Sequence, residues 1–392
     1  MDKFKKFLFI IACLFFAFNL AACANSDEEP HNDPPPKTYL RDFYEDYFPV
    51  GAALNSPRIN KCGDVLPHYS SITAESEMKW LALQPSEGSF IWDTPEKDGS
   101  AKLLSMAKEQ DKQIRGHALC WYKGLPSWVL EKGTTKQQAL SRLRIHIDKT
   151  VKHFGNEVYC WDVVNEAISN APTTAQVQSG NFYRTGSEAT GTNAGDWYAI
   201  TGKDYIKEAF VAAKTAVNNI GANIKLYYND YGLLSPAKRD AVVKMVSELR
   251  SQGVTVDGIG MQAHYKIATF NLEEFEKSVK TFTDMGLDVQ LTELDLSVYS
   301  SASDAEYNTL PQEVETRQAE VFANIFGVMR RYSTAEAGKG RACGITFWGV
   351  ADDGTWLDNY PVTGRKDYPL LFDTQHNPKL GYYEVTQFGQ TA

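Results

Sequence analysis

Two periods of apolar residues alternate along the chain from Tyr39 onward. Short runs, apolar on both faces, lie at 48–54 (FPVGAAL), 71–77 (SITAESE), 113–121 (QIRGHALCW), 158–164 (VYCWDVV), 224–230 (IKLYYND), 256–263 (VDGIGMQA), 289–296 (VQLTELDL) and 342–350 (ACGITFWGV). Runs of this length and character suit strands covered on both sides. Between them, Leu140, Leu143, Ile147, Val151 and Phe154 recur at intervals of three and four, as do Leu272, Phe275, Val279 and Phe282. That spacing lines one face of a helix. Asn271 can cap the second helix and Gly286 can end it. Eight such strands, each followed by an amphipathic helix, predict an α/β fold with a parallel sheet. The number favours closure into a (β/α)8 TIM barrel, with a doubly wound open sheet as the alternative.

The first 38 residues break both periods. Lys3, Lys5 and Lys6 precede a run from Phe7 to Leu20 that is apolar except for Asn19, so residues 1–22 read as an export signal too short to span a membrane securely. The run closes in LAAC, Leu20 to Cys23, which resembles the lipobox of bacterial lipoproteins. The resemblance implies a mature chain beginning at a lipidated Cys23; ordinary secretory cleavage nearby is the alternative. Residues 23–38 are acidic and Pro-rich with almost no apolar content, and read as a tether. Residues 39–389 then form one catalytic-sized domain. Asp27, Glu28 and Glu29 are similar in composition to surface-export signals of some outer-membrane lipoproteins. They favour the outer-membrane surface over the periplasm.

The formal charge is −9, and losing the leader, with three Lys and one Asp, takes it to −11. A nucleic acid is therefore not an expected partner. Four cysteines remain in the domain, Cys62, Cys120, Cys160 and Cys343. Their spacing matches no metal pattern, and buried free thiols are expected although export permits a disulfide. A monomer without metal or cofactor is the simplest expectation.

Polar residues gather where the strands end: Glu75 and Glu77, His117 and Trp121, Asn165 and Glu166, Asn229, Asp230 and Tyr231, Gln262 and His264, Glu293 and Asp295, and Trp348. One acid at a strand end is commonly a cap or an ion pair. Seven of the eight strands contributing to one rim fit the C-terminal face of a barrel, where loops build a site. Glu166 in WDVVNEA and Glu293 in QLTELDL supply two carboxylates, the requirement of glycoside hydrolysis. No pair of His sits at a metal-ligand spacing, and no Gly-rich phosphate cradle follows a strand.

With these motifs the folded part resembles glycoside hydrolase family 10, the endo-β-1,4-xylanases. WDVVNEA, LYYNDYG, GIGMQAHY, LTELDL, RGHALCW followed by LPSWV, ITAESEMKW and TFWGVADDGTWL carry the likeness, in the family's order, from about Tyr39 to Phe388. The resemblance implies retaining cleavage of xylan or xylo-oligosaccharides, with Glu166 as acid/base and Glu293 as nucleophile. It also implies that Asn165 bonds the sugar 2-hydroxyl, and that His264, held by Asp295, contacts Glu293, with Gln262 in support. Glu75, Lys79, His117 and Trp121 correspond to sugar contacts on the non-reducing side. Trp348 and Trp356 correspond to aromatics closing over the cleavage point, and Tyr231 to a platform on the leaving-group side.

Three positions depart from the family pattern. Ser76 replaces a usual Asn, and Tyr122 and Gly124 replace a common His and Gln, so a related β-glycan such as a β-glucan remains a second substrate, and an inactive glycan-binding lipoprotein a third reading. The segment 168–201 is long, polar and rich in Gly, Ser, Thr and Asn. It reads equally as a passive insertion or as a wall of the leaving-group side.

Overall fold

Every strand of the sheet runs parallel to its neighbours. In chain order they are β1 (Val50–Leu54), β2 (Ser71–Ala74), β3 (Gln113–Gly116), β4 (Val158–Asn165), β5 (Lys225–Asp230), β6 (Gly258–Met261), β7 (His264–Lys266), β8 (Asp288–Ser297) and β9 (Ala342–Phe347). Pairing runs from β1 through β6 in order, β6 joins β8, β8 joins β9, and β9 returns to β1. The sheet is thereby a closed (β/α)8 barrel, and the open-sheet alternative falls away. The computed structural model describes residues 37–388; the leader, Cys23 and all but the last two residues of the tether lie outside them.

The eight expected strands occupy eight barrel positions, but one position is filled by two pieces. β6 pairs with the first half of β8, Gly258 opposite Asp288, and β7 pairs with the second half, His264 opposite Asp295. Between them Ala263 takes φ +66, a left-handed conformation that breaks the ladder. Other strands are shorter than their apolar runs, because the backbone leaves the ladder where polar side chains turn to the rim. β3, for example, ends at Gly116 rather than Trp121.

Helix Lys136–Phe154 buries the five residues that the spacing selected, and Thr135 caps it by accepting from Gln138 N at 3.3 Å. Helix Leu272–Asp284 buries Phe275, Val279 and Phe282 and is capped by Asn271, which accepts from Glu274 N at 3.0 Å. Leu272 departs from the expected stripe and is 37% exposed. It sits in the first turn, where the helix end projects beyond the sheet.

Along β4, Val163 and Val164 are fully buried. Each contributes roughly 1.5–3 kcal/mol relative to an exposed side chain. Trp161 is equally buried, and Gly116 faces it so closely that a Cβ there would meet the indole at 2.3 Å. A charged pair lies on the opposite face of β4 from Trp161: Arg115 forks onto both oxygens of Asp162, and Nε of Arg115 donates to Gln290 at 2.9 Å. His117 Nδ1 reaches the same carboxylate at 2.8 Å. Cys62, Cys120 and Cys160 are buried free thiols, while Cys343 is half-buried with its Sγ 3.4 Å from Tyr227 Oη.

Removing one member of a buried pair leaves the other charge uncompensated, at about 3–5 kcal/mol. Asp162→Asn keeps the shape and strands Arg115, so its urea-unfolding midpoint should fall well below wild type. An unchanged midpoint would mean that the pair has no net weight.

Candidate active site

A cleft of about 600 Å³ opens over the C-terminal ends of the strands. β4 delivers Asn165 and Glu166 to its floor, and the next turn of chain fixes their direction. Glu166 has φ +57, unusual for a residue with a side chain, and its N–H donates to Asn229 O at 2.9 Å. β8 delivers Glu293 and, two residues on and so on the same face, Asp295. All four side chains are at least nine-tenths buried.

A neutral network of amides joins the two glutamates. Gln262 Nε2 donates to Glu166 Oε1 at 3.0 Å and to Asn165 Oδ1 at 3.1 Å. Asn229 Nδ2 donates to Asn165 Oδ1 at 2.9 Å and to Glu293 Oε1 at 2.8 Å. Turning the Asn165 amide over would let its oxygen accept from Trp121 Nε1 at 3.2 Å and its nitrogen donate to Asn229 O at 3.2 Å, but that nitrogen would also face the side-chain donors of Asn229 and Gln262. The first orientation satisfies those two donors, which also reach the glutamates.

His264 bridges the two acids of β8, with Nδ1 2.8 Å from Asp295 Oδ2 and Nε2 3.1 Å from Glu293 Oε2. Burial alone would strip its proton, but the charge and hydrogen bond of Asp295, with the bond to Glu293, raise it from 6.5 to about 10. Burial works against the Glu293 carboxylate too. The bond from His264 and the nearby His117 and His264 imidazoles outweigh it and hold the carboxyl below its ordinary value. Glu293 is therefore an anion near neutral pH. Asp295 also accepts from Trp356 Nε1 at 2.9 Å, which fixes that indole beside His264.

The walls are aromatic. Lys79 Nζ lies 5.0 Å from the Trp121 ring centroid and 6.0 Å from that of Trp348. Burial pulls the Lys79 ammonium below its ordinary value against the carboxylates of Glu293, Glu75 and Glu166. His117 packs edge-on against Trp348 at 5.4 Å. Trp356 stacks on Tyr360, and Tyr231 stands opposite, its hydroxyl bonded to Asn170 and Arg184. Flat rings with polar groups between them suit a ligand with alternating C–H faces and hydroxyls.

Among the site residues expected from the sequence, Lys79, His117, Trp121, Asn165, Glu166, Tyr231, Gln262, His264, Glu293, Trp348 and Trp356 all line the cleft. Asp295 acts from behind His264. Glu75 does not line it, because its carboxylate is turned to Asn55 Nδ2 at 2.8 Å, although its charge still acts on Lys79. Lys123, Asn170 and Tyr360 line the cleft without having been singled out. Each sits on a loop, where no period marks it; only their nearness in sequence to Trp121, Glu166 and Trp356 could have pointed to them. The segment 168–201 packs onto the barrel, with Phe182, Tyr183, Arg184 and Trp197 buried, and its Asn170 lines the cleft.

Comparison with known proteins agrees with this geometry. The model of Glycosyl hydrolase family 10 matches residues 39–388. A Beta-1,4-xylanase of Dictyoglomus thermophilum is 37% identical over 351 residues, which cover 89% of this chain and 90% of that one. The solved Thermobacillus composti GH10 xylanase is 34% identical with a TM-score of 0.74, over 89% of this chain and 99% of its own. A variant solved in complex with xylotriose is 32% identical with a TM-score of 0.78, over 90% and 100%.

The His264 arrangement predicts a pH signature. A group whose proton is held more tightly in the folded state stabilises that state fully below its unfolded value, here about 6.5, and loses the effect as pH rises toward about 10. The difference in thermal midpoint between wild type and His264→Gln should thus be largest below pH 6.5 and shrink steadily toward pH 10. A difference that stays constant across that range would contradict the assignment.

Proposed function

The chain belongs to glycosyl hydrolase family 10, and on that premise we propose that it cleaves internal β-1,4-xylosidic bonds of xylan with retention of configuration. The observation that carries the mechanism is the pair of buried glutamates at the ends of β4 and β8, joined by neutral amides but differing in their charged neighbours. Glu293, held ionised by His264, attacks the anomeric carbon. Glu166, whose Oε1 is occupied by Gln262, gives a proton from Oε2 to the leaving oxygen. The glycosyl-enzyme that forms removes the charge of Glu293, and Glu166 then takes a proton from the attacking water. Asn165 faces the 2-hydroxyl, where a hydrogen bond strengthens as positive charge develops on the ring.

Xylan is the substrate that the relatives support: the Dictyoglomus thermophilum protein is named a Beta-1,4-xylanase and that of Geobacillus stearothermophilus an Endo-1,4-beta-xylanase. Trp121, Trp348 and Trp356 hold the pyranose faces, Lys79 and His117 the hydroxyls on the non-reducing side, and Tyr231 the leaving-group sugar. Rates on xylan, mixed-linkage glucan and mannan test the substrate; equal or faster cleavage of the glucan would overturn xylan.

The roles separate by leaving group. Glu293→Ala should abolish turnover on every substrate. Glu166→Ala should still be glycosylated by an aryl glycoside whose leaving group needs no proton, and then stall for want of the base. Identical behaviour of the two variants on such a substrate would contradict the assignment.

The leader and the LAAC sequence support export and anchoring through lipid on Cys23, and the acids Asp27, Glu28 and Glu29 favour the outer-membrane surface. An endo-acting enzyme is most useful where the polymer is, and an anchor keeps its products near the importing cell. Cys23→Ala should move the protein from the membrane to the soluble fraction, and protease added to intact cells should degrade the wild type. Membrane retention of the variant at the wild-type level would defeat the anchor.

A further inference from the structure

Arg184 lies within the segment 168–201 and is 3% exposed, yet its bonds run to no carboxylate. Nε donates to Glu166 O at 2.7 Å, Nη2 to Ile168 O at 3.2 Å and to Tyr231 Oη at 2.9 Å, and Nη1 to Glu188 O at 3.2 Å. Its guanidinium carbon sits 4.5 Å from the Tyr122 ring centroid and 5.7 Å from that of Tyr231. Its hydrogen bonds go only to carbonyl and hydroxyl groups, while the charges of Glu166 and Asp230 act on it from beyond bonding distance and help offset its burial. A loop needing only a clasp could use a neutral side chain instead.

The geometry points to Arg184 as a positioning residue that sets the direction of Glu166 and the place of the leaving-group platform together, an inference that rests on Glu166 being the acid/base. The backbone of Glu166 is left-handed at φ +57, a conformation that relaxes unless its surroundings fix it. Its N–H is fixed by Asn229 O from β5, and its carbonyl by Arg184. With one peptide group on each side pinned, the Glu166 side chain can leave the backbone in only a narrow range of directions. The same guanidinium holds the Tyr231 hydroxyl, so proton donor and leaving-group sugar share one reference point. The planar fork of Arg can serve these directions at once; the single ammonium of Lys cannot. Arg184 also covers Tyr122, one of the three positions that depart from the family pattern.

The test uses the purified full chain and its Arg184→Lys and Arg184→Ala variants, with Glu166→Ala as control. The readouts are kcat/KM on a xylo-oligosaccharide and on a 2,4-dinitrophenyl β-xylobioside, plus the thermal midpoint. The aryl glycoside needs Glu293 but no proton for its first irreversible step. Misaiming the acid should therefore lower kcat/KM on the oligosaccharide about 10–100-fold, part of the 10²–10⁴ that a general acid supplies, and on the aryl glycoside by less than about 3-fold. Arg184→Lys should show this selectivity with a midpoint near wild type. Equal losses on both substrates, or none on either, would overturn the positioning role and leave Arg184 as a loop clasp. Should Glu166→Ala itself lose both substrates equally, the acid/base reading fails instead, and that result is separate from the behaviour of the Arg184 variants.

Discussion

The imidazole of His264, held between Glu293 and Asp295, is the contact on which the rest of the site depends. The two acids are two residues apart on β8, so the pleat aims both side chains to the same face, where neighbouring anions repel. A cation between them turns two negative charges into one net charge, and the arrangement becomes tolerable in a buried place. That cation comes from the neighbouring barrel position, and only because the strand there is broken. Had β6 run straight through Gln262 and Ala263, the alternation of side chains would have been kept and His264 would have lain elsewhere in the register. The left-handed turn at Ala263 shifts the phase and sets His264 opposite Asp295.

The two glutamates differ in the hydrogen-bonding neighbours each has. Glu293 is surrounded by imidazoles: His264 touches it directly, and His117 acts from the Arg115 and Asp162 pair deeper in the barrel. Glu166 receives only amide donors on its Oε1, from Gln262 and more distantly from Asn165.

The barrel was legible because a buried parallel strand leaves a dense apolar run, and the rim because polar residues after such a run have nowhere else to go. Val163 and Val164 followed by Asn165 and Glu166 state both facts within four residues. The break at Ala263 was not legible, since Ala carries none of the conformational signal that Gly would. Glu75 was placed among sugar contacts by motif, yet its orientation is set by Asn55, a residue 20 positions away that no local pattern links to it. Arg184 was hidden by composition: a polar segment suggests solvent, and a guanidinium satisfied by carbonyl groups has no acidic partner to announce it in sequence.

Tyr122, Gly124 and the long segment 168–201 pack as one unit. Gly195 N donates to Tyr122 O at 2.8 Å and Leu125 N to Asn193 O at 3.0 Å, so the segment lies along the Trp121–Leu125 turn. Trp197 Nε1 adds a bond to Trp121 O at 3.2 Å. The fit is close: a Cβ on Gly195 would come within 3.0 Å of Leu125 and Leu130 side chains. Gly124 itself has φ +57, and the room beside it is occupied by the Lys79 and Trp121 side chains at ordinary contact distance. A Gln at 124 would therefore face both backbone strain and a filled neighbourhood, while a ring at 122 gains the cover of Arg184. The loop after β4 thereby braces the turn after β3, on which Trp121 and Tyr122 meet the cleft.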